Sequence, residues 1–157
     1  MGAQSFERSV AMRSLRVRDL MTERVLSVSP GDTVDTIYDA MSERSIRHVA
    51  VIDEEGDLVG VVSHRDLLRY ALIERSDLPL FVQRALLKRT KAEEIMTTEV
   101  ETAEPDLPLE EAAQIMFDNK FGCLPVVEGW HVVGILTESD FVRYFSRSHA
   151  GDHGLAN

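Results

Sequence analysis

The sequence predicts an α/β chain built from two copies of one β-α-β-β-α unit. Three observations lead there. A weak internal repeat covers most of the 157 residues: Leu20-Met21-Thr22 returns as Ile95-Met96-Thr97, Met41 as Met116, and Arg69-Tyr70 as Arg143-Tyr144. The offset is 75 from Pro30 to Pro105 and 74 from Gly60 to Gly134, so one residue is lost where a turn is expected. Within each copy, apolar residues first recur at helical spacing and then run continuously, as in a strand pair. Each copy closes on glycine, two apolar residues, a hydroxyl residue, two variable residues and aspartate, where a strand gives way to a helix. Duplicated units suggest two similar surfaces facing across a pseudo-twofold axis, with a cleft for a ligand.

The elements follow in order. Residues 25–28 read as a short extended segment. Pro30 and Pro105 are each expected to open a helix, with Asp or Thr nearby as caps. Val34, Ile37, Tyr38 and Met41 fall at i, i+3, i+4 and i+7, as do Leu109, Ala112, Ala113 and Met116. The run Val49-Ala50-Val51-Ile52 stops at the polar turn 53–57, where Gly56 allows a positive φ, and Leu58 starts the returning strand. The second copy uses Leu124 to Val127, a tighter Glu128-Gly129 turn and residues 131–136. A helix is expected after each hairpin, from about Asp66 and Asp140. Residues 67–91 read as one long helical stretch kinked at Pro79, with a basic, solvated end at Arg84, Lys88, Arg89 and Lys91. The expected organisation is an N-terminal segment 1–16, a first unit 17–72, a helical linker 73–91, a second unit 92–146 and a disordered tail 147–157.

Composition narrows the function. Apolar runs are only a few residues long, so no membrane span is expected. The first residues carry scattered charges and no apolar core, unlike a secretory signal. Cys123 is the only cysteine, which excludes an internal disulfide and fits a cytoplasmic location. A net charge of −10 repels nucleic acid, so that partner is disfavoured. An anionic ligand needs local cations.

The motif Gly60-Val61-Val62-Ser63-His64-Arg65-Asp66 and its copy Gly134-Ile135-Leu136-Thr137-Glu138-Ser139-Asp140 carry the chemistry. A hydroxyl and the free N–H groups of a helix start can donate to a phosphate. A carboxylate accepts only, which suits a pair of ribose hydroxyls. Glycine lets a ligand or a neighbouring backbone come close. The same Ser-x-x-Asp spacing is also a helix cap, and the two roles are compatible. Ser63, His64 and Asp66 lie too close in sequence to form a catalytic relay. No zinc-protease, CxxC, dinucleotide or P-loop pattern is present, and only His149 and His153 have ligand-like spacing. No catalytic or metal-binding residues are expected.

Over residues 17–146 the chain resembles a tandem pair of CBS domains, named after cystathionine beta-synthase. The resemblance rests on the paired motifs and on the Leu-Met-Thr and Ile-Met-Thr that start the copies. It implies two units packed sheet to sheet about a pseudo-twofold axis, leaving two clefts for adenosine-containing ligands such as AMP, ADP, ATP or S-adenosylmethionine. By position, Ser63 and Asp66 serve one cleft, and Thr137 and Asp140 the other. Thr22 and Thr97 match a start-of-unit contact. Val25 and Val100 flank adenine, and Gly60 and Gly134 lie in the motif. Arg47 and His48 stand where some relatives place phosphate ligands, and a phosphate-rich ligand is expected to favour the end near Arg47, His48 and Arg65. The second copy has Gly122 and Cys123 there, and Glu138 in place of His64, so the clefts are expected to differ.

The expected function is a non-enzymatic regulatory sensor with an adenine nucleotide or S-adenosylmethionine as its ligand and no required cofactor. It would form a homodimer and act on an effector protein not identifiable from the sequence. Met41, Leu67, Met116, Phe117, Phe141 and Phe145 are the candidate dimer faces. The alternative is a ligand-free dimerisation or protein-interaction module.

Overall fold

A computed structural model describes residues 15–73 and 77–150. In chain order the elements are α1 (Val17–Leu20), β1 (Ser27–Val28), α2 (Val34–Arg44), β2 (His48–Ile52), β3 (Leu58–Ser63), α3 (His64–Ile73) and α4 (Leu80–Leu87). Next come α5 (Ala92–Ile95), α6 (Leu109–Asn119), β4 (Cys123–Glu128), β5 (His131–Thr137) and α7 (Glu138–Ala150). They form two compact units. The first-repeat unit holds Val25–Val100 with Trp130–Val132. The second-repeat unit holds the described residues up to Arg24, Glu101–Gly129, and the chain from Val133 onward.

In the first-repeat unit, β1 runs parallel to β2, and β2 pairs antiparallel with β3. His48 stands opposite Ser63 at the end of that ladder. Helix α2 lays Val34, Ile37 and Met41 against Val49, Val51 and Val62, all buried. The second-repeat unit repeats this with Leu109, Ala112 and Met116 of α6 against Leu124, Val126 and Leu136. Its counterpart of β1 is reduced to one parallel bridge between Ala103 and Val126. Helices α2 and α6 end alike. Ser45 (φ 52°) and Lys120 (φ 57°) turn left-handed, and the next amide returns to a helix carbonyl: Ile46 to Met41 at 3.0 Å, Phe121 to Met116 at 2.9 Å.

The starts of the repeats are exchanged between the units. Val17, fully buried, belongs to the core of the second repeat, and Ala92, also fully buried, to that of the first. The backbone bonds are matched one for one. The Val17 and Arg18 amides donate to Leu107 and Pro105, and the Ala92 and Glu93 amides donate to Asp32 and Pro30. Thr22 and Ile135 exchange amide–carbonyl bonds at 2.9 and 3.0 Å, and Thr97 and Val61 do the same. No periodicity or motif in the sequence marks this exchange.

Several expectations need correction. The prolines do not open the helices: α2 starts at Val34 after Thr33, and α6 at Leu109 after Pro108. Pro30 instead enters a turn in which the Ser29 amide donates to the Asp32 carboxylate at 2.8 Å. The stretch 67–91 is not one helix, because α3 ends at Ile73 and Pro79 precedes the separate α4. A proline has no N–H to continue an incoming helix. Helix α7 runs to Ala150, past the expected start of a disordered tail at residue 147. The tail beyond it, the N-terminal segment up to residue 14, and the His149–His153 side-chain pair lie outside the described residues. Among the proposed dimer residues, Met41, Leu67 and Met116 are core side chains, whereas Phe117 is 80% exposed. Tyr38, expected on the buried face of α2, is half exposed and stacks on the His64 ring with centroids 6.2 Å apart.

Candidate ligand-binding site

The hydroxyl–carboxylate motif is placed identically in both repeats, at a strand end that runs straight into a helix. In the first, the Ser63 amide and hydroxyl both donate to Asp66 Oδ2, at 2.8 and 2.7 Å. The Asp66 amide donates back to Ser63 Oγ at 3.1 Å. This is a reciprocal cap of α3, so the capping role of the motif is realised. It leaves Asp66 Oδ1 with no donor among the described residues, on a partly exposed side chain.

In the second, the Thr137 amide and hydroxyl donate to Asp140 Oδ2 at 2.8 and 3.0 Å. Here the other oxygen is also engaged. Thr22 Oγ1 donates to Asp140 Oδ1 at 3.0 Å, and Arg143 Nη1 at 3.1 Å. The Asp140 side chain is only 1% exposed, while that of Arg143 is 52% exposed. The repeats therefore share a motif but not its state.

The exchange of repeat starts decides which predicted residues meet. Thr97 joins Gly60, Ser63 and Asp66, while Thr22 joins Gly134, Thr137 and Asp140. The glycines are needed for this approach. A Cβ on Gly60 would lie 2.7 Å from Met96 Sδ and 3.0 Å from the Thr97 carbonyl oxygen. One on Gly134 would lie 2.6 Å from Met21 Sδ and 3.3 Å from the Thr22 carbonyl oxygen. The close neighbour of the motif glycine is thus the Met-Thr backbone.

The predicted cations gather at the first-repeat motif. The His64 amide donates to the Arg47 carbonyl at 2.8 Å, so Arg47 and His48 face His64 and Ser63 across the ladder. Directly opposed residues project to the same side of a sheet. Arg47 and His64 also line a shallow cavity of about 270 Å³ with Met41, Ser42, Ser45 and Ile46. Arg65 is exposed on the first turn of α3. In the second-repeat unit the matching bond runs from the Glu138 amide to the Gly122 carbonyl at 3.3 Å, placing Gly122 and Cys123 where the first has Arg47 and His48. Val25 and Val100 both fall, half-buried, in the first-repeat unit. Arg143 was not among the predicted site residues. Its i, i+3 spacing from Asp140 was visible, but Arg69 has the same spacing from Asp66 and forms no ion pair with it.

The family model of the CBS domain matches residues 17–73 and 92–147. The chain belongs to the CBS domain family, as a tandem pair. It is 35% identical over 128 residues to a homoserine O-acetyltransferase of Methanococcoides burtonii, an alignment covering 81% of this chain and 23% of that protein. The chain spans less than a quarter of the length of the first curated relatives, at 23%, 23% and 22%. Among solved structures it is similar to CBSX2 of Arabidopsis thaliana, determined in complex with AMP, with a TM-score of 0.71 and 30% identity over 87% of this chain and 99% of that one. It also resembles the CBS domain pair of MJ0100 in complex with 5′-methylthioadenosine and S-adenosyl-L-methionine, with a TM-score of 0.70 and 26% identity over 85% and 98% of the two chains. No helix among the described residues is long and apolar enough to cross a membrane.

Proposed function

We propose that this chain is a non-enzymatic regulatory module that binds an adenosine-containing ligand, AMP, ADP, ATP or S-adenosylmethionine. The observation that carries this reading is Asp66. Its carboxylate is anchored through one oxygen by Ser63 and offers the other to a ribose diol. Arg47, His48 and Arg65, at the ends of the strand and helix that meet at this motif, supply donors and positive charge for the 5′ substituent, which an acidic chain must provide locally. Thr97, Val25 and Val100 of the same unit supply a hydroxyl and apolar surface for the nucleoside. The adenosyl ligands of CBSX2 and MJ0100 support the same reading.

Binding acts on function only through a difference in affinity between two states of the protein. The readout falls to a second copy of the chain or to an effector protein, and exposed Phe117 and Val142 on α6 and α7 offer apolar surface for it. The ligand-free alternative draws on the capping bonds, which engage Ser63 and one oxygen of Asp66 without any ligand. A melting scan with AMP, ATP and S-adenosylmethionine separates the two. A true ligand at a hundred times its Kd stabilises the fold by about 2.7 kcal/mol. No shift with any of the three would remove the sensor reading and leave the interaction module.

A further inference from the structure

We propose that the two motifs are not equivalent ligand sites, because Arg143 and Thr22 latch the second one shut. This rests on the reading that a motif carboxylate receives the ribose diol. A diol brings two O–H donors to one carboxylate. Asp66 Oδ1 receives no protein donor among the described residues, so it accepts a hydroxyl without displacing one. Asp140 has both oxygens filled: Thr137 holds Oδ2 twice, and Thr22 Oγ1 and Arg143 Nη1 share Oδ1. Its side chain is also closed to solvent, at 1% exposure.

A ligand at Asp140 must therefore first remove a charge-assisted bond from a buried carboxylate, a cost that Asp66 does not impose. Arg143, 52% exposed, is the member of the latch with room to leave. The sequence does not distinguish the sites on this point, since Arg69 repeats Arg143 and Thr97 repeats Thr22. The difference lies in the bonds formed. The chain fills in two steps, Asp66 first, and the second step waits on Arg143.

Isothermal titration with AMP, and separately with S-adenosylmethionine, tests this on the full chain. The wild type should show one tight site per chain, and Asp66→Asn should lose it. Arg143→Gln and Arg143→Met should tighten the second site about tenfold or more, the equivalent of one charge-assisted hydrogen bond, and raise the stoichiometry towards two. Both variants alter an exposed side chain, and circular dichroism confirms that each is folded. Two equal sites in the wild type, or a second site unmoved in both Arg143 variants, would overturn the latch while leaving the sensor reading intact. No binding of either probe to the wild type or any variant would overturn the sensor reading and the latch with it.

Discussion

Gly60 and Gly134 look interchangeable in the repeat, yet their surroundings differ in what can yield. At both, the nearest atom is a methionine sulfur, the far end of a flexible chain. Behind it at Gly60 stands the Thr97 carbonyl at 3.0 Å; behind it at Gly134 the Thr22 carbonyl is at 3.3 Å. Alanine at Gly60 must push backbone that is itself hydrogen-bonded to Val61, so Gly60→Ala should cost about 1–3 kcal/mol. Gly134→Ala should cost less, and urea denaturation of the two variants gives the comparison. Arg47 and His48 make the complementary case, in which charge matters more than space. Replacing both by alanine should weaken ATP at least about tenfold while leaving adenosine much less affected, since each lost charge-assisted bond is worth about 1.5–3 kcal/mol. Equal losses in a competition titration would show that neither residue reads phosphate.

At the scale of elements, α1 and α5 are single turns that could not hold a helical shape alone. Packing and backbone bonds to the other repeat hold them instead. Val17 is fully buried among core side chains, and Val17→Ala should cost about 1–3 kcal/mol although it sits near the start of the described chain. Thermal unfolding monitored by circular dichroism checks it. The elements most legible in the sequence were those with a period of their own. The i, i+3, i+4, i+7 stripes located α2 and α6, and the β-branched runs around Gly56 and Gly129 located both hairpins. What could not be read was pairing at a distance. Nothing local in Val17-Arg18-Asp19-Leu20 says that its amides will bond to Leu107 and Pro105 rather than to the matching residues of its own repeat. The helix starts are hard to read for a similar reason, because a proline three residues before the N-cap, as Pro30 and Pro105 are, serves a turn as well as a cap. The candidate site was legible as a motif, through Ser63, Asp66, Thr137 and Asp140. Its asymmetry was legible only as charge, at Arg47 and His48 against Gly122 and Cys123, since the ion pair of Arg143 depends on side-chain placement that Arg69 does not share.

For the whole molecule, the exchanged starts mean that the sequence repeat is not the folding unit. A fragment ending at residue 73 lacks Ala92, Ile95 and Met96, which pack in the core of its own hairpin, and a fragment starting at residue 92 lacks Val17. Each fragment expressed alone should show a broad, weak thermal transition, and mixing or co-expressing the two should restore a cooperative one. Two independently stable fragments would contradict the exchange. The same threading also bears on how the protein behaves when refolded in company. A segment that must cross to complete a hairpin elsewhere in its own chain fits the identical hairpin of a neighbouring molecule just as well. Refolding at high protein concentration should therefore yield intertwined oligomers that come apart only on unfolding, whereas dilution before refolding should yield the untangled form.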